Sequence, residues 1–306
     1  NFTTGNYDFA EVQVANKHAM EQGLPVTPAA FFDLTACATV CVTLDTIQPV
    51  ETETTPGSDP HVQYFVNSFN NMGGTDTGDP FGDDCLLTAC NGFLVWDFDP
   101  SNSTLIGAFV GTGVPTPTYL IPANADEPGC FQCVETIDTR ITGTPVYSVG
   151  GGQPYISFSI DTSVSNGGPN GQNNVPGILW GQIQVTHVPG LVVGNLAQSG
   201  YLYFTGDRAA SFGAMMQDKN GNLFMVFDTM SFNLNPSIEI ASRAKSDPLG
   251  TLGNVKFLIK GPAATFDVRW GDYEAASYSG FSSNHVWVAS EYSISGDWNT
   301  LISRVS

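Results

Sequence analysis

The C-terminal end of the chain reads RWGDY at 269–273, HVWVASEY at 285–292 and WNTLISRV at 298–305. Runs rich in β-branched and aromatic residues, separated by Gly, Asn, Asp and Ser, predict successive β-strands joined by turns. An earlier segment repeats this pattern: ASFGAMMQ at 210–217, the turn DKNGN at 218–222, LFMVFD at 223–228 and SIEIASR at 237–243. The Asn-Gly dipeptide in that turn is typical of a tight β-hairpin.

A unit of three or four antiparallel strands that recurs about every 45–60 residues is typical of a β-propeller blade. Blades bury their faces against their neighbours, so no single blade is stable alone. At this period the 306 residues predict one all-β domain over 1–306, with about five or six antiparallel blades. The alternative is a pair of β-sandwiches, and the blade-length period argues against it.

The composition fits short strands and many turns. The chain has 33 Gly and 19 Pro, and only 13% of its residues are charged. We expect one helix near residues 9–22, stopped by Gly23, although the same stretch also fits strand and loop. Further strands are expected in the ranges 31–46, 61–70, 92–98, 105–110, 134–141, 155–160 and 178–187.

The net charge of −19 is unevenly distributed. Residues 1–139 contain eighteen Asp or Glu and a single Lys, whereas residues 140–306 contain eleven acidic and nine basic residues. Such a surface repels nucleic acid and anionic lipid. It attracts cations, although a simple contribution to solubility explains it equally well. No apolar stretch is long enough for a transmembrane helix.

The six cysteines form three pairs that are close in sequence: Cys37 with Cys41, Cys85 with Cys90, and Cys130 with Cys133. Nearest-neighbour disulfides are the simplest of fifteen possible connectivities. They predict an oxidising environment, and therefore a secreted or cell-surface protein. The Cys130–Cys133 spacing also occurs in zinc sites, but a zinc ribbon needs a second pair of the same spacing.

A Gly/Asp-rich loop between residues 71 and 84 is the candidate metal site. Ca²⁺ prefers six to eight oxygen ligands on a flexible loop, which carboxylates interleaved with glycines provide. The alternative is a solvated acidic loop. The candidate ligands are Asp76, Asp79, Asp83 and Asp84.

The C-terminal half resembles a group of secreted bacterial β-propeller proteins of unassigned function that are distantly similar to sialidases. The resemblance covers residues 130–306 best and residues 1–60 poorly, and it implies the fold and secretion but no reaction. The chain lacks the repeated Ser-x-Asp-x-Gly-x-Thr-Trp turns of true sialidases. The matching features are the 218–222 turn, PSI at 236–238, SDPLG at 246–250, RWGDY at 269–273, EY at 291–292 and WNT at 298–300, together with VETIDTR at 134–140, which is similar to an inner strand of that group.

Ligands of propellers usually bind in the central funnel, where the loops of the inner strands meet. Charged and aromatic residues near the predicted inner strands are therefore the candidate site residues, although packing between blades explains them as well. They are Arg208, Arg269, Asp272, Tyr273, Glu291 and Tyr292.

Two functions follow as hypotheses. The first is a secreted propeller that binds a glycan or a protein partner without catalysis, favoured because no nucleophile elbow, phosphate loop or dinucleotide motif is present. The second is a glycan-cleaving hydrolase or lyase that uses the acidic and basic groups of the funnel. A structural subunit of a surface assembly is a further possibility.

Overall fold

The computed structural model describes residues 2–3, 6–7, 10–31, 34–37, 41–43, 46–53, 60–69, 89–112, 117–165, 168–169, 175–265, 269–271, 274–278 and 284–306. Strands dominate these residues. The first thirteen strands and the helix are β1 (Phe2–Thr3), β2 (Asn6–Tyr7), β3 (Val12–Val14), α1 (Lys17–Glu21), β4 (Ala29–Phe31), β5 (Thr35–Cys37), β6 (Cys41–Thr43), β7 (Gln48–Pro49), β8 (Glu51–Glu53), β9 (Gln63–Ser68), β10 (Cys90–Asn91), β11 (Phe93–Asp99), β12 (Thr104–Phe109) and β13 (Thr118–Tyr119).

The remaining strands are longer on average, and they form most of the regular structure. They are β14 (Ala125–Glu127), β15 (Cys130–Val134), β16 (Ile141–Gly150), β17 (Gln153–Ser165), β18 (Gly168–Pro169), β19 (Val175–Val188), β20 (Leu191–Leu202), β21 (Ala209–Gln217), β22 (Leu223–Ser231), β23 (Leu234–Arg243), β24 (Gly253–Ile259), β25 (Ala275–Tyr278), β26 (Val286–Ile294) and β27 (Asp297–Val305).

Four sheets organise the described residues. The first sheet has the strand order β12-β11-β9-β7, and the second has β20-β19-β17-β16-β8 with β18 added on β17. The third sheet is β21-β22-β23-β24, and the fourth is β25-β26-β27. Nearly all pairings are antiparallel; β8 joins β16 in parallel. The predicted all-β, antiparallel fold class is therefore confirmed.

Each sheet packs on the next one, and each interface has its own apolar core. Phe93 of the first sheet lies edge-on against Phe158 of the second, with ring centroids 4.8 Å apart. Trp180 of the second sheet belongs to the core shared with the third sheet, and Val288 of the fourth sheet lies in the core shared with the third. Alternate side chains of a strand point to opposite faces, so the two middle sheets contribute to a core on each of their faces.

A buried polar contact also ties the first sheet to the second. Asp97, which is fully buried in β11, lies 2.6 Å from Nδ1 of His187 in β19, and Asp99 lies 3.8 Å from the other ring nitrogen. His187 is thus a packed interface residue, as expected for a histidine in a strand.

The predicted helix is shorter than expected. Only Lys17–Glu21 is helical, begun by the Asn16 side chain, which accepts a hydrogen bond from the backbone N–H of Ala19. Val12–Val14, inside the predicted helix, instead pairs with Ala29–Phe31 as a hairpin. Their β-branched side chains suit a strand better than a helix.

The strand predicted over 134–141 is wrong. Residues 135–140 are irregular and lie between β15 and β16, so the segment that resembles a propeller's inner strand is a connection. Its backbone is bent at Ile137, where φ is 54°. It is also bent at Asp138, whose side chain accepts a hydrogen bond from the backbone N–H of Arg140. A short polar side chain that binds the backbone two residues later favours a turn over a strand.

One predicted disulfide is present among the described residues, between Cys130 and Cys133. Cys90 is also disulfide-bonded and fully buried, whereas Cys85 lies outside the described residues. The backbone register of β5 and β6 places Cys37 opposite Cys41.

No helix in the described part of the chain combines the length and apolar character needed to cross a lipid bilayer.

Candidate functional site

The candidate site is a pocket of about 490 Å³ where the second, third and fourth sheets meet. Its walls come from the start of β16, the middle of β21 and the segment that leads into β25. Polar and charged groups form much of the lining, which suits a polar ligand. The lining residues are Gln48, Ile137, Arg140, Ile141, Thr142, Gly143, Thr144, Phe212, Arg269, Glu274 and Ala275.

Two β-bulges shape the pocket. The register of β16 shifts between Thr142 and Val146, and that of β21 shifts next to Phe212. A Cβ atom on Gly143 would lie 2.8 Å from a backbone oxygen of β21, so the two bulged backbones are in direct contact. Bulges bend a strand and redirect its side chains. Phe212, with a φ of 54°, is turned in this way to form a wall of the pocket.

Glu274 is the most unusual residue of the pocket. Its side chain lines the cavity but is only 2% exposed. Neither carboxyl oxygen has a hydrogen-bond partner among the other described residues. Burial, followed by the nearby Asp228 carboxylate, raises the pKa of Glu274 well above its ordinary value. Burial therefore favours the neutral form of the Glu274 carboxyl group, the form that can donate a hydrogen bond to a ligand.

Two further buried carboxyl groups lie behind Glu274. Asp161 of β17 accepts the backbone N–H of Phe212 with both oxygens, at 3.0 Å each. Asp228 of β22 accepts a hydrogen bond from the indole N–H of Trp270 at 2.7 Å. It also accepts one from the Ser290 hydroxyl. Burial raises the pKa of both aspartates well above the ordinary value.

The three carboxyl groups come from three parts of the chain: Asp161 from the second sheet, Asp228 from the third, and Glu274 from the residue just before β25 of the fourth. After burial, nearby carboxylates raise each pKa further: Asp138 and Asp228 act on Asp161, Glu291 acts on Asp228, and Asp228, Glu291 and Asp161 act on Glu274. Groups with strongly raised pKa values that line a cleft are typical of functional sites.

Two arginines carry the positive charge of the pocket. Arg140 donates from Nε to Asp138 at 2.9 Å, and within the described ranges its two Nη nitrogens have no side-chain partner. Arg269, whose side chain is 67% exposed, lies 4.0 Å from Glu135. Both guanidinium groups border the same cavity.

Of the six residues predicted from the sequence, the structure brings two to this site. Arg269 lines the pocket, and Glu291 lies near enough to Asp228 and Glu274 to raise their pKa values. Asp272 and Tyr273 lie outside the described residues.

The other two, Arg208 and Tyr292, do not line this pocket, and their assignment to a functional site stays a prediction. Arg208 forms an ion pair with Glu239 and lies over the ring of Phe204, 3.8 Å from its centroid. Tyr292 packs beside the core between the third and fourth sheets, and its hydroxyl is hydrogen-bonded by Asn299. Both are structural residues, because their partners come from the strands and loops around them.

The proposed calcium ligands Asp76, Asp79, Asp83 and Asp84 also lie outside the described residues, so the Ca²⁺ site stays a prediction. Within the described ranges, no three His, Cys, Asp or Glu side chains are placed to hold a metal ion.

Sequence reasoning missed Arg140, Asp161, Asp228 and Glu274. Asp161 and Asp228 each end a run of alternating or continuous apolar residues, FSID at 158–161 and MVFD at 225–228. Burying a carboxyl group in a strand costs free energy, so acidic residues in apolar runs are unusual. This pattern could have identified Asp161 and Asp228 as candidates. Glu274 directly follows the quoted RWGDY segment, but nothing in the sequence indicates its burial.

Comparison with known proteins adds no relative: no protein family matches the chain, and no curated protein matches it.

Proposed function

We propose that this protein is an extracytoplasmic β-propeller that binds a glycan in the pocket around Glu274. The observation that carries the proposal is the lining of this pocket, where hydroxyl, amide and guanidinium groups and one buried carboxyl group surround one cavity. Sugar hydroxyl groups both donate and accept hydrogen bonds, so a mixed lining of this kind suits them.

The propeller is supported by the order of the sheets. Four sheets of mostly sequential antiparallel strands follow one another along the chain, and each shares a core with the next. This is the packing mode of propeller blades. The three buried carboxyl groups, from the second sheet, the third sheet and the residue before the fourth, support a common axis near the pocket.

The extracytoplasmic location is supported by the Cys130–Cys133 disulfide and by the disulfide-bonded Cys90. Disulfides persist in oxidising compartments and are rare in the cytosol.

A glycan array, followed by titration calorimetry of the best ligands, tests the binding function. We expect binding that is weakened at least tenfold by Thr142→Val and Arg140→Gln, which change the pocket wall. Arg304→Gln, on the exposed face of the fourth sheet, is the matched control and should bind normally. Absence of glycan binding by the folded protein, or binding that neither pocket variant weakens, would refute the proposal.

A second candidate function is hydrolysis of a glycosidic bond. It is favoured by the buried Glu274, whose pKa is raised by burial and whose carboxyl oxygens have no hydrogen-bond partner among the described residues. A protonated carboxyl group in a pocket is the form that a general acid requires. The substitution Glu274→Gln separates the two functions because an amide still donates a hydrogen bond but cannot transfer a proton. Loss of turnover of polysaccharide substrates with retained binding would support the hydrolase, and binding without turnover in the unmodified protein would exclude it for those substrates.

A further inference from the structure

We propose that β27 (Asp297–Val305) of one copy of this chain pairs antiparallel with β27 of a second copy, so that two fourth sheets form one continuous sheet across a two-fold axis. This inference does not depend on the proposed glycan site. β27 is the edge of the fourth sheet opposite β25, whose Ala275 lines the pocket, so self-association and glycan binding can be measured separately.

β27 is a long and regular edge strand. Its nine residues pair with β26 without a bulge, and no other described strand pairs with its outer side. Proteins usually block such an edge with Lys, Pro, a bulge or a short strand, because its unpaired backbone groups can bind a further strand. β27 contains no Lys and no Pro, and the apolar side chains of Trp298 and Ile302 are 55% and 67% exposed. The edge is therefore open to another strand.

The turn before β27 determines which backbone groups point outward. Ser295 and Gly296 form a two-residue hairpin loop, with φ values of 53° and 81°. In such a hairpin the residues that flank the loop, Ile294 and Asp297, are hydrogen-bonded to each other, and every second residue of β27 then faces β26. The backbone groups that point outward are those of Trp298, Thr300, Ile302 and Arg304.

Two hydrogen bonds agree with this direction. The backbone N–H of Trp298 donates to the Asp297 side chain at 2.8 Å, and that of Thr300 donates to the Asn299 side chain at 2.9 Å. Both N–H groups thus point away from β26. A strand from a second copy would replace these local acceptors with backbone carbonyl groups, as in any antiparallel ladder.

The outward groups select one register between two copies. Outward-pointing groups must lie opposite outward-pointing groups in an antiparallel pair. The register that meets this condition and also pairs the full length of both strands places Leu301 opposite Leu301 of the second copy, on the two-fold axis. It also places Thr300 opposite Ile302, and Trp298 opposite Arg304.

The side chains fit this register. Trp298 and Arg304 lie on the same exposed face of β27, so the guanidinium of each copy can cover the indole ring of the other in a cation–π contact, which occurs twice in the dimer. The charged residues of β27 are Asp297 and Arg304, so the strand has no net charge in a chain of net charge −19. Asp297 lies opposite Val305, and no like charges face each other. Repulsion between copies is therefore smallest along this edge.

Sedimentation velocity over a wide range of protein concentration tests the association. We expect a dimer whose fraction rises with concentration. Ile302→Pro removes an outward N–H from the ladder and should weaken the dimer at least about tenfold, whereas Ile302→Val keeps that N–H and should dimerise like the unmodified protein. Trp298→Ala and Arg304→Gln should each weaken it roughly tenfold, because two cation–π contacts are lost. Glycan binding should be unchanged in all four variants.

Cysteine cross-linking tests the register. In the proposed dimer the two Leu301 residues form a pair that is not hydrogen-bonded, with Cα atoms about 4.5 Å apart, which is short enough for a disulfide. Ser303 lies opposite Asn299 of the second copy, so the two Ser303 residues are separated by roughly 14 Å along the strands. Under mild oxidation Leu301→Cys should give a covalent dimer on non-reducing gels, and Ser303→Cys, the matched control, should not.

A monomer at every concentration would overturn the inference and leave the proposed glycan site unaffected. A folded Ile302→Pro variant that dimerises normally would also overturn it, and melting curves verify folding. Cross-linking of Ser303→Cys but not of Leu301→Cys would refute the register and the contact between Trp298 and Arg304. Cross-linking of Leu301→Cys alone, together with loss of the dimer in Ile302→Pro, would support the pairing of β27 with its copy.

Discussion

Replacing Glu274 by methionine should stabilise the protein, but it removes the carboxyl group from the pocket. Methionine has a similar length and fills the same buried volume without polar oxygens. Burial of an unpaired polar group costs roughly 1–3 kcal/mol, and both oxygens of Glu274 are unpaired among the described residues. We therefore expect Glu274→Met to increase the free energy of unfolding by about 2 kcal/mol at pH 5.

The gain should be larger at pH 8. The pKa of Glu274 is raised in the folded protein, so the native state retains a proton that the unfolded chain releases above about pH 4.5. The stability of the unmodified protein is thus highest below that pH, and it falls as pH rises through the pKa of the folded state. The methionine variant lacks this loss.

Equilibrium urea unfolding at both pH values measures these differences, with the slope of the transition checked for constancy. Glu127→Met is the matched control, since Glu127 is also buried but accepts the backbone N–H of Thr265 at 2.8 Å. The free energy of unfolding of the Glu127→Met variant should be lower by about 1–3 kcal/mol, because the backbone N–H of Thr265 loses the Glu127 carboxylate as its acceptor. Destabilisation by Glu274→Met at pH 8 would refute the reasoning about the unpaired carboxyl group.

Three other predictions concern the walls and surroundings of the site. Gly271→Ala should lower the free energy of unfolding by about 1–3 kcal/mol in urea titrations, because Gly271 has a φ of 75° and a Cβ would lie 2.5 Å from the ring of Phe212; an unchanged midpoint would contradict this packing. Replacing Cys130 and Cys133 together by serine should lower the melting temperature only slightly, since a loop this short contributes about 2 kcal/mol at most; a collapse of the native fold would show a larger role. Thermal melts should also show decreasing stability from pH 5 to pH 8, because the raised pKa values of the three buried carboxyl groups let the native state keep protons that the unfolded chain releases. A stability that stays constant over this range would argue that these groups are already ionised in the native state.

Much of the fold could be predicted from the sequence where one strand follows another through a short turn. The segment 210–243 forms β21, β22 and β23 as predicted, because the Asn220-Gly221 turn fixes the hairpin and the apolar runs fix the strands. The prediction failed over 134–141, where the Asp138 side chain binds the backbone and competes with strand pairing. Local pattern does not reveal such competition.

The site was harder to predict because it depends on contacts between sheets. Arg269 lines the pocket, whereas Arg208 does not, and the sequence does not show that Arg208 pairs with Glu239 of a neighbouring strand. The buried carboxyl groups become recognisable only when three sheets bring them together. Their raised pKa values follow from that burial, which is a property of the tertiary structure.

The contact between the two bulged strands has a consequence for how this pocket can change. Gly143 touches the backbone of β21 directly, so the outline of the cavity is set by main-chain atoms and tolerates little movement there. Substitutions at Thr142, Thr144 or Arg140 would alter the chemistry of the lining without altering its shape. A chain of this design can acquire a new ligand by exchanging a few side chains, while the frame that holds them stays the same.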